Sequence, residues 1–176
     1  TTISTLFAII LTPLLTSYLS GSYLEIDALG LFLSTLKVVL IPIGIGILLN
    51  MFLPNLTSYI IPYSPPMAVI LITLIVASII GQGKDTILNS GINLTICIMI
   101  LHLIGFLVGF IMTFIGFKNK TFSKTISIEV GMQNSGLGVV LAQENFTNPS
   151  TAIPSAISSL VHSLYGSLFV ALFKNK

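Results

Sequence analysis

Six apolar runs, each about as long as a bilayer is thick, constrain this chain more than any other feature of its sequence. A membrane-spanning helix needs roughly 20 consecutive, mainly apolar residues. Runs of that kind lie at residues 1–19, 28–53, 64–82, 91–117, 121–146 and 150–173. The links between them are short and polar, too short for a soluble domain. The pattern therefore predicts an all-α, polytopic membrane protein with about six transmembrane helices, embedded in a lipid bilayer.

The charge content agrees with this fold class and excludes several functions. Charged residues make up 7% of the chain, against roughly 25% in an ordinary soluble domain. The net charge of +2 is too small for a nucleic-acid-binding surface, so we exclude nucleic acid as a partner. Cys97 is the single cysteine, which leaves no disulfide or thiolate metal site within the chain. No cofactor is predicted.

The links also predict an orientation, because placing them on alternate sides of a membrane separates their charges. One side receives five lysines: Lys118, Lys120, Lys124, Lys174 and Lys176. The other side carries a net −3, from Lys84 with Glu25, Asp27, Asp85 and Glu144. By the positive-inside rule the lysine-rich side is cytoplasmic. We therefore expect a cytoplasmic C-terminus and a location in the cell (inner) membrane.

Proline and glycine mark several of the predicted helices. Pro13 and Pro42 are expected to interrupt the first and second helices, and Gly44 with Gly46 to loosen the second further. In the fourth run Gly105 begins a Gly-x-x-x-Gly pair, and serines recur every fourth residue in the sixth run. Small residues at that spacing let membrane helices approach closely, so helix packing is the expected role of both patterns.

A polar stretch from Glu129 to Gly138 lies inside the fifth run. Glu129 follows Thr121 by roughly 12 Å of helix, at 1.5 Å per residue, so the carboxylate lies well within the hydrocarbon layer. An ionisable group at that depth is costly unless it is compensated, and a bound cation would compensate it. Glu129, Gln133 and the main-chain carbonyls of Val130 and Met132 form a plausible oxygen ligand set for a hard monovalent cation.

The same stretch predicts a break in the fifth helix near residues 132–136. Asn134 or Ser135 has the side chain to cap a second half-helix that begins at Gly136. The N-terminal amides of that half-helix would favour an anion. One discontinuous helix can thus serve a cation and an anionic solute, as in secondary transporters with broken spans.

Other interpretations of these polar residues remain open. Glu129 would be a structural carboxylate if it paired with Lys37, which would otherwise extend to an interface. For His102 and His162 we expect packing or a helix-to-helix hydrogen bond, since neither has a carboxylate or cysteine at ligand spacing. A membrane enzyme with Glu129 as base and His162 as its partner would need a nucleophile or metal cluster. We see neither, so we expect no enzymatic activity.

The residues Thr125 to Leu137, TISIEVGMQNSGL, resemble the signature of the bile acid:sodium symporter family. The resemblance extends through Leu11 to Pro13, Lys37 to Pro42 and Val161 to Ser167, and so covers nearly the whole chain. It implies ten helices in two inverted five-helix repeats, of which this chain supplies the last helix of the first repeat and all of the second. We accordingly expect a C-terminal piece of a longer protein, whose N-terminal half precedes Thr1.

The resemblance also implies roles for individual residues. Glu129 resembles the carboxylate shared by two sodium sites. Gln133 and the carbonyls of Val130 and Met132 resemble ligands of one site, and Thr1 resembles a hydroxyl ligand of the other.

Around the solute, Asn134 and Ser135 near the break and His162 with Ser163 on the last helix are the expected binding residues. Ser163 departs from the family, which often has asparagine there, so the detail of the solute cavity is expected to differ. The implied function is sodium-coupled symport of an organic anion, either bile-acid-like or a small carboxylate. A truncated, non-transporting remnant and a proton-coupled carrier are the alternatives.

Overall fold

The structure, a computed structural model, describes residues 2–21, 23 and 25–173, and every regular element in them is helical. Two short 3₁₀ turns, Ile61–Tyr63 and Pro149–Ala152, connect longer helices. The α-helices are α1 (Thr2–Ser20), α2 (Ala28–Phe52), α3 (Pro54–Ile60), α4 (Ser64–Gln82), α5 (Lys84–Phe117), α6 (Lys120–Gly131), α7 (Ser135–Asn145) and α8 (Ile153–Phe173).

Five helical stretches among the described residues are long and apolar enough to cross a bilayer. They are Ile3–Ser20, Ala28–Phe52, Pro54–Gln82, Gly91–Phe117 and Pro149–Phe173. The fifth predicted span, residues 121–146, is divided between α6 and α7. The all-α, polytopic membrane class is confirmed, and so is the discontinuous helix within it.

Two predicted links differ from the structure. Residues 54–63 form α3 and a 3₁₀ turn that lead directly into α4, and α5 already begins at Lys84 rather than near residue 91. Polar composition suggested links at both places. Polar residues at a helix end, however, leave the backbone free to stay helical as long as water or neighbouring groups solvate their side chains.

The prediction that proline interrupts the first two helices was wrong. Helix α1 is continuous through Pro13, and α2 is continuous through Pro42. A proline removes one backbone hydrogen bond, and small local adjustments in a membrane helix can compensate for it without a break. The glycines that follow Pro42 do not mark a close approach either, since a Cβ atom added at Gly44 or Gly46 would have no neighbour within 4 Å among the described residues.

The described residues form two compact units. The first comprises residues up to Leu74 together with Leu141–Thr147, and in it α1 packs against α2. Helix α2 begins at the Asp27 side chain, which accepts the Gly30 N–H at 2.9 Å. In the same unit the Ser34 hydroxyl donates to the Asn145 side-chain oxygen at 3.1 Å.

The second unit comprises Ile75–Val140 and the residues from Asn148 onward, and it contains α6, the break and the first residues of α7. Helix α6 packs along α5 through small residues on both helices. A Cβ atom at Gly109 would lie 3.0 Å from the Ser127 Cα, and the buried Ser127 hydroxyl donates to the Phe106 carbonyl at 2.6 Å. The expected packing role of the Gly105–Gly109 pair is therefore confirmed.

Helix α8 completes the second unit by packing against α5 and α6. Aromatic rings fill its contact with α5, including Phe106 and Phe169, whose centroids are 5.5 Å apart. Near the other end of α8, Ser155 lies where a Cβ atom at Gly138 of α7 would fall, so α7 and α8 also approach closely. The two halves of the broken helix thus share α8 as a support.

Candidate ion and solute site

The break in the fifth predicted span occupies Met132, Gln133 and Asn134. Helix α6 ends with the Met132 N–H donating to the Ile128 carbonyl at 2.8 Å. Met132 itself is extended, with φ −90° and ψ 100°. The Ser135 N–H then donates to the Gln133 carbonyl at 2.9 Å, which closes a tight turn before α7. The predicted unwinding near residues 132–136 is confirmed.

Side chains form hydrogen bonds with backbone groups on both sides of this break. The Gln133 amide donates to the Val130 carbonyl at 3.0 Å, and the Asn134 side-chain oxygen accepts the Leu137 N–H at 3.2 Å. From α5, the Nδ1 of His102 lies 2.8 Å from the Gly131 carbonyl. Unsatisfied backbone groups are costly at membrane depth, so these bonds stabilise the break. Of the two candidate caps, Asn134 is the one that caps α7.

Two buried histidines form hydrogen bonds with the end of α6 and the start of α7. His102, 1% exposed, holds the end of α6 and also shares a 2.7 Å hydrogen bond with the Ser158 hydroxyl of α8. His162, 8% exposed, shares a 2.7 Å hydrogen bond through Nε2 with the Ser135 hydroxyl, at the start of α7. The expected helix-to-helix hydrogen bonds of both histidines are confirmed.

The second ring nitrogen of His162, Nδ1, is buried and has no hydrogen-bond partner among the described residues. The His102 and His162 rings meet edge to face, with centroids 5.4 Å apart. The two histidines therefore form one buried cluster behind the break.

The opposite side of α6 carries the predicted sodium ligands. Ser123, Ser127 and Gly131 form the buried face of α6. Glu129 and Gln133 are both exposed. The broken helix thus has a buried face of small residues and an exposed face with oxygen-bearing side chains.

The remaining predicted site residues lie in different surroundings. Asn134 is exposed beside the break, whereas Ser135 and His162 are buried and bonded to each other. Ser163 is exposed, and its hydroxyl donates to the Ser159 carbonyl of its own helix at 2.7 Å. Thr1 lies outside the described residues.

The lysine-rich end of the second unit is partly visible. Lys124 of α6 lies over the Phe173 ring of α8, with its Nζ 4.6 Å from the ring centroid. The start of α6 and the end of α8 are therefore at one end of this unit, as alternate placement of the links requires. Lys174 and Lys176 lie outside the described residues.

The contact between His102 and Gly131 is the feature that sequence reasoning did not specify. A histidine deep in an apolar helix needs partners for both ring nitrogens, and that need was the available signal. The partner, however, is a backbone carbonyl that becomes available only because the helix is broken. The geometry of the break therefore determines this partner, and the type of residue at position 131 does not reveal it.

Comparisons with known proteins agree with the resemblance. The model of the "Sodium Bile acid symporter family" matches residues 1–90. "Probable sodium/metabolite cotransporter BASS1, chloroplastic" from Arabidopsis thaliana is 45% identical over 157 residues, which is 89% of this chain and 39% of the relative. A matched stretch of that length necessarily includes the broken helix.

Two further relatives match the same share of the chain. "Probable sodium/metabolite cotransporter BASS2, chloroplastic" from Oryza sativa subsp. japonica is 43% identical over 89% of this chain and 38% of its own length. "Uncharacterized sodium-dependent transporter YocS" from Bacillus subtilis is 39% identical over 89% of this chain and 49% of its own length. The chain thus spans less than half the length of these relatives. It belongs to the sodium bile acid symporter family.

Proposed function

We propose that this chain forms the sodium-binding part of a sodium-coupled symporter that moves an organic anion by alternating access. The observation that carries the proposal is the two-faced break in α6–α7. Its buried side is bonded to α5 and α8, and Glu129 and Gln133 are exposed on the other side. The names of the relatives, sodium/metabolite cotransporters and a sodium-dependent transporter, support the same activity.

The donor set suits a hard monovalent cation. Glu129 supplies the negative charge, and Gln133 supplies the side-chain oxygen of an amide whose nitrogen is already bonded to the Val130 carbonyl. A carbonyl oxygen has two lone pairs, so the Val130 carbonyl can accept that bond and still face a cation. The Met132 carbonyl would complete the ligands of this set. Thr1, which lies outside the described residues, stays a proposed hydroxyl ligand of the second sodium site.

The solute would bind at the start of α7. Asn134, Ser135, His162 and Ser163 are the proposed residues around it, and the N-terminal end of α7 favours a carboxylate. Both a bile-acid-like anion and a small carboxylate fit this chemistry. Sodium would order the break before the solute binds, and the resulting shift between conformations is limited to the difference in sodium affinity between them.

The membrane orientation is part of the proposal. The protein is an integral, multi-pass membrane protein, and we propose that its C-terminus is cytoplasmic and that it resides in the cell (inner) membrane. In a Cys97→Ser background, an impermeant thiol reagent added outside should modify Glu25→Cys and spare Lys120→Cys. The reverse pattern would reject the orientation.

Two alternatives have support of their own. The chain covers less than half of its relatives, which fits a truncated, non-transporting remnant as well as part of a complete carrier. A carboxylate at membrane depth could also take up a proton, which fits a proton-coupled carrier. An enzyme is not favoured, because the relatives are named as transporters.

Uptake into proteoliposomes by the complete protein, with its N-terminal half, tests the function. We expect an inward sodium gradient to drive accumulation of a small carboxylate or a bile acid. Uptake driven equally well by a proton gradient without sodium would move the coupling ion to H⁺. Absence of uptake under either gradient, with properly inserted protein, would reject the proposed transport. Uptake by the complete protein but not by the present chain alone would favour the remnant for this chain.

A further inference from the structure

We propose that His102 is a positioning residue for the sodium site, a role that rests on the function proposed above. His102 contacts the buried side of α6 and need not touch sodium. It acts through the main chain, by fixing the peptide group that lies between the proposed carbonyl ligands of Val130 and Met132. Because His102 is on α5, the packing of α5 against α6 contributes to the geometry of the sodium site.

The first step is the exchange of hydrogen-bond partners at the break. In an unbroken helix the Gly131 carbonyl would accept the Ser135 N–H. Here that N–H donates to the Gln133 carbonyl at 2.9 Å, and the Gly131 carbonyl is bonded to His102 at 2.8 Å. The histidine therefore replaces the helical hydrogen bond that the break removes.

The second step concerns the protonation of the ring. A carbonyl oxygen only accepts, so the Nδ1 of His102 carries the hydrogen and donates it to Gly131. In the neutral ring Nε2 is then the acceptor, and the Ser158 hydroxyl donates to it across 2.7 Å. The Gly131 carbonyl thus sets the tautomer, and Ser158, whose hydroxyl can donate or accept, satisfies the second ring nitrogen.

The third step is the rigidity of one peptide plane. The Gly131 carbonyl and the Met132 N–H belong to the same planar peptide group. His102 holds the carbonyl at 2.8 Å, and the Ile128 carbonyl holds the N–H at 2.8 Å. With this plane fixed at both ends, the flanking peptide groups, which carry the Val130 and Met132 carbonyls, have few remaining orientations. Ordering them in advance lowers the cost of binding sodium.

Two near-isosteric substitutions separate the two bonds of His102. In His102→Asn the side-chain amide lies near the position of Nδ1, so it can still donate to Gly131 but loses Ser158. In His102→Gln the amide reaches the position of Nε2, so it keeps Ser158 and loses Gly131. Ser158→Ala is the matched control, because it removes the Ser158 bond and leaves the histidine in place.

The measurement is the sodium concentration for half-maximal uptake by the complete transporter, together with the thermal stabilisation that sodium gives the purified protein. We expect His102→Gln to raise the half-saturating sodium concentration about tenfold or more, the lower end of losses seen for outer partners of metal ligands. His102→Asn and Ser158→Ala should stay close to wild type. The maximal rate at saturating sodium should persist in all three, which shows that they fold.

Several outcomes overturn the proposal. Equal shifts in His102→Asn and His102→Gln would show that the ring acts by packing alone, and no shift in either would show that the Gly131 bond is irrelevant to sodium. A shift in Ser158→Ala as large as that in His102→Gln would assign the effect to α8. If wild-type uptake does not depend on sodium, the proposed function fails instead, and that result is visible before any variant is made.

Discussion

Helix α2 is continuous and the pair α6–α7 is broken, although the helix-disrupting proline is in α2. Helix α2 contains Pro42 and two glycines, yet it runs without interruption from Ala28 to Phe52. The segment between α6 and α7 has no proline and is broken at Met132–Asn134. The presence of a helix-disrupting residue therefore does not locate the break.

What distinguishes the broken segment is the set of partners available for its backbone. Gln133 and Asn134 satisfy backbone groups next to the break, and His102 reaches the Gly131 carbonyl from another helix. At Gly44 and Gly46 of α2, by contrast, an added Cβ atom would have no described neighbour within 4 Å. A membrane helix thus breaks where polar side chains stabilise the freed backbone groups, and it stays continuous through proline where they do not.

The largest effect on stability should come from the packing of α6 against α5. In Gly109→Val the new side chain would start 3.0 Å from both the Ser127 Cα and the Val130 Cβ. We expect a loss of about 1–3 kcal/mol, typical of an overfilled contact, seen as a lower thermal unfolding temperature in detergent. Gly116→Val, in open space on the same helix, and Gly46→Val in α2 are the controls and should be tolerated. Equal destabilisation in all three would mean that α5 does not hold α6 in this way.

A smaller effect should follow from removing helix caps. Asn134→Ala removes the cap of α7, and Asp27→Ala removes that of α2. Each should cost about 1 kcal/mol of stability. Only Asn134→Ala should also raise the solute concentration needed for half-maximal uptake, because only that cap lies at the proposed site. An equal rise in the half-saturating solute concentration in Asp27→Ala would show that the cap of α7 has no special role in solute binding.

The smallest effect is expected at Pro42. Because α2 is already continuous, Pro42→Ala should not lower stability, and any gain should remain below the roughly 3 kcal/mol that proline costs in the interior of a soluble helix. Sodium affinity should be unchanged in uptake assays. A strong loss of sodium dependence in Pro42→Ala would show that α2 bends during transport and would reverse the comparison.

The sequence predicted the class of fold and the position of the break well, because both depend on local composition. Long apolar runs predict spans, and the amides and glycines after Glu129 predict an unwound segment. The interruptions expected at Pro13 and Pro42 were wrong because composition shows which residues weaken a helix but not whether the surrounding helix compensates.

The supports of the site were harder to predict because they join distant parts of the chain. The sequence indicated hydrogen bonds for His102 and His162 but not which backbone and hydroxyl groups would accept or donate them. Their partners, the Gly131 carbonyl and Ser135, are 29 and 27 residues away along the chain. Pairings over that separation follow from how α5 packs against α6 and how α7 packs against α8, which single-helix patterns do not contain.

Sodium binding to the complete protein, measured directly with radioactive sodium, tests the central claim that the exposed face of the break holds the coupling ion. Glu129→Gln removes one charge and nearly preserves shape, so saturable binding should be lost. Gln133→Ala should only weaken it, because the carboxylate remains. Glu144→Gln changes an exposed glutamate further along α7 and should bind sodium as the wild type does. Wild-type sodium affinity in Glu129→Gln would contradict the claim and show that the carboxylate is structural, as the pairing with Lys37 supposed.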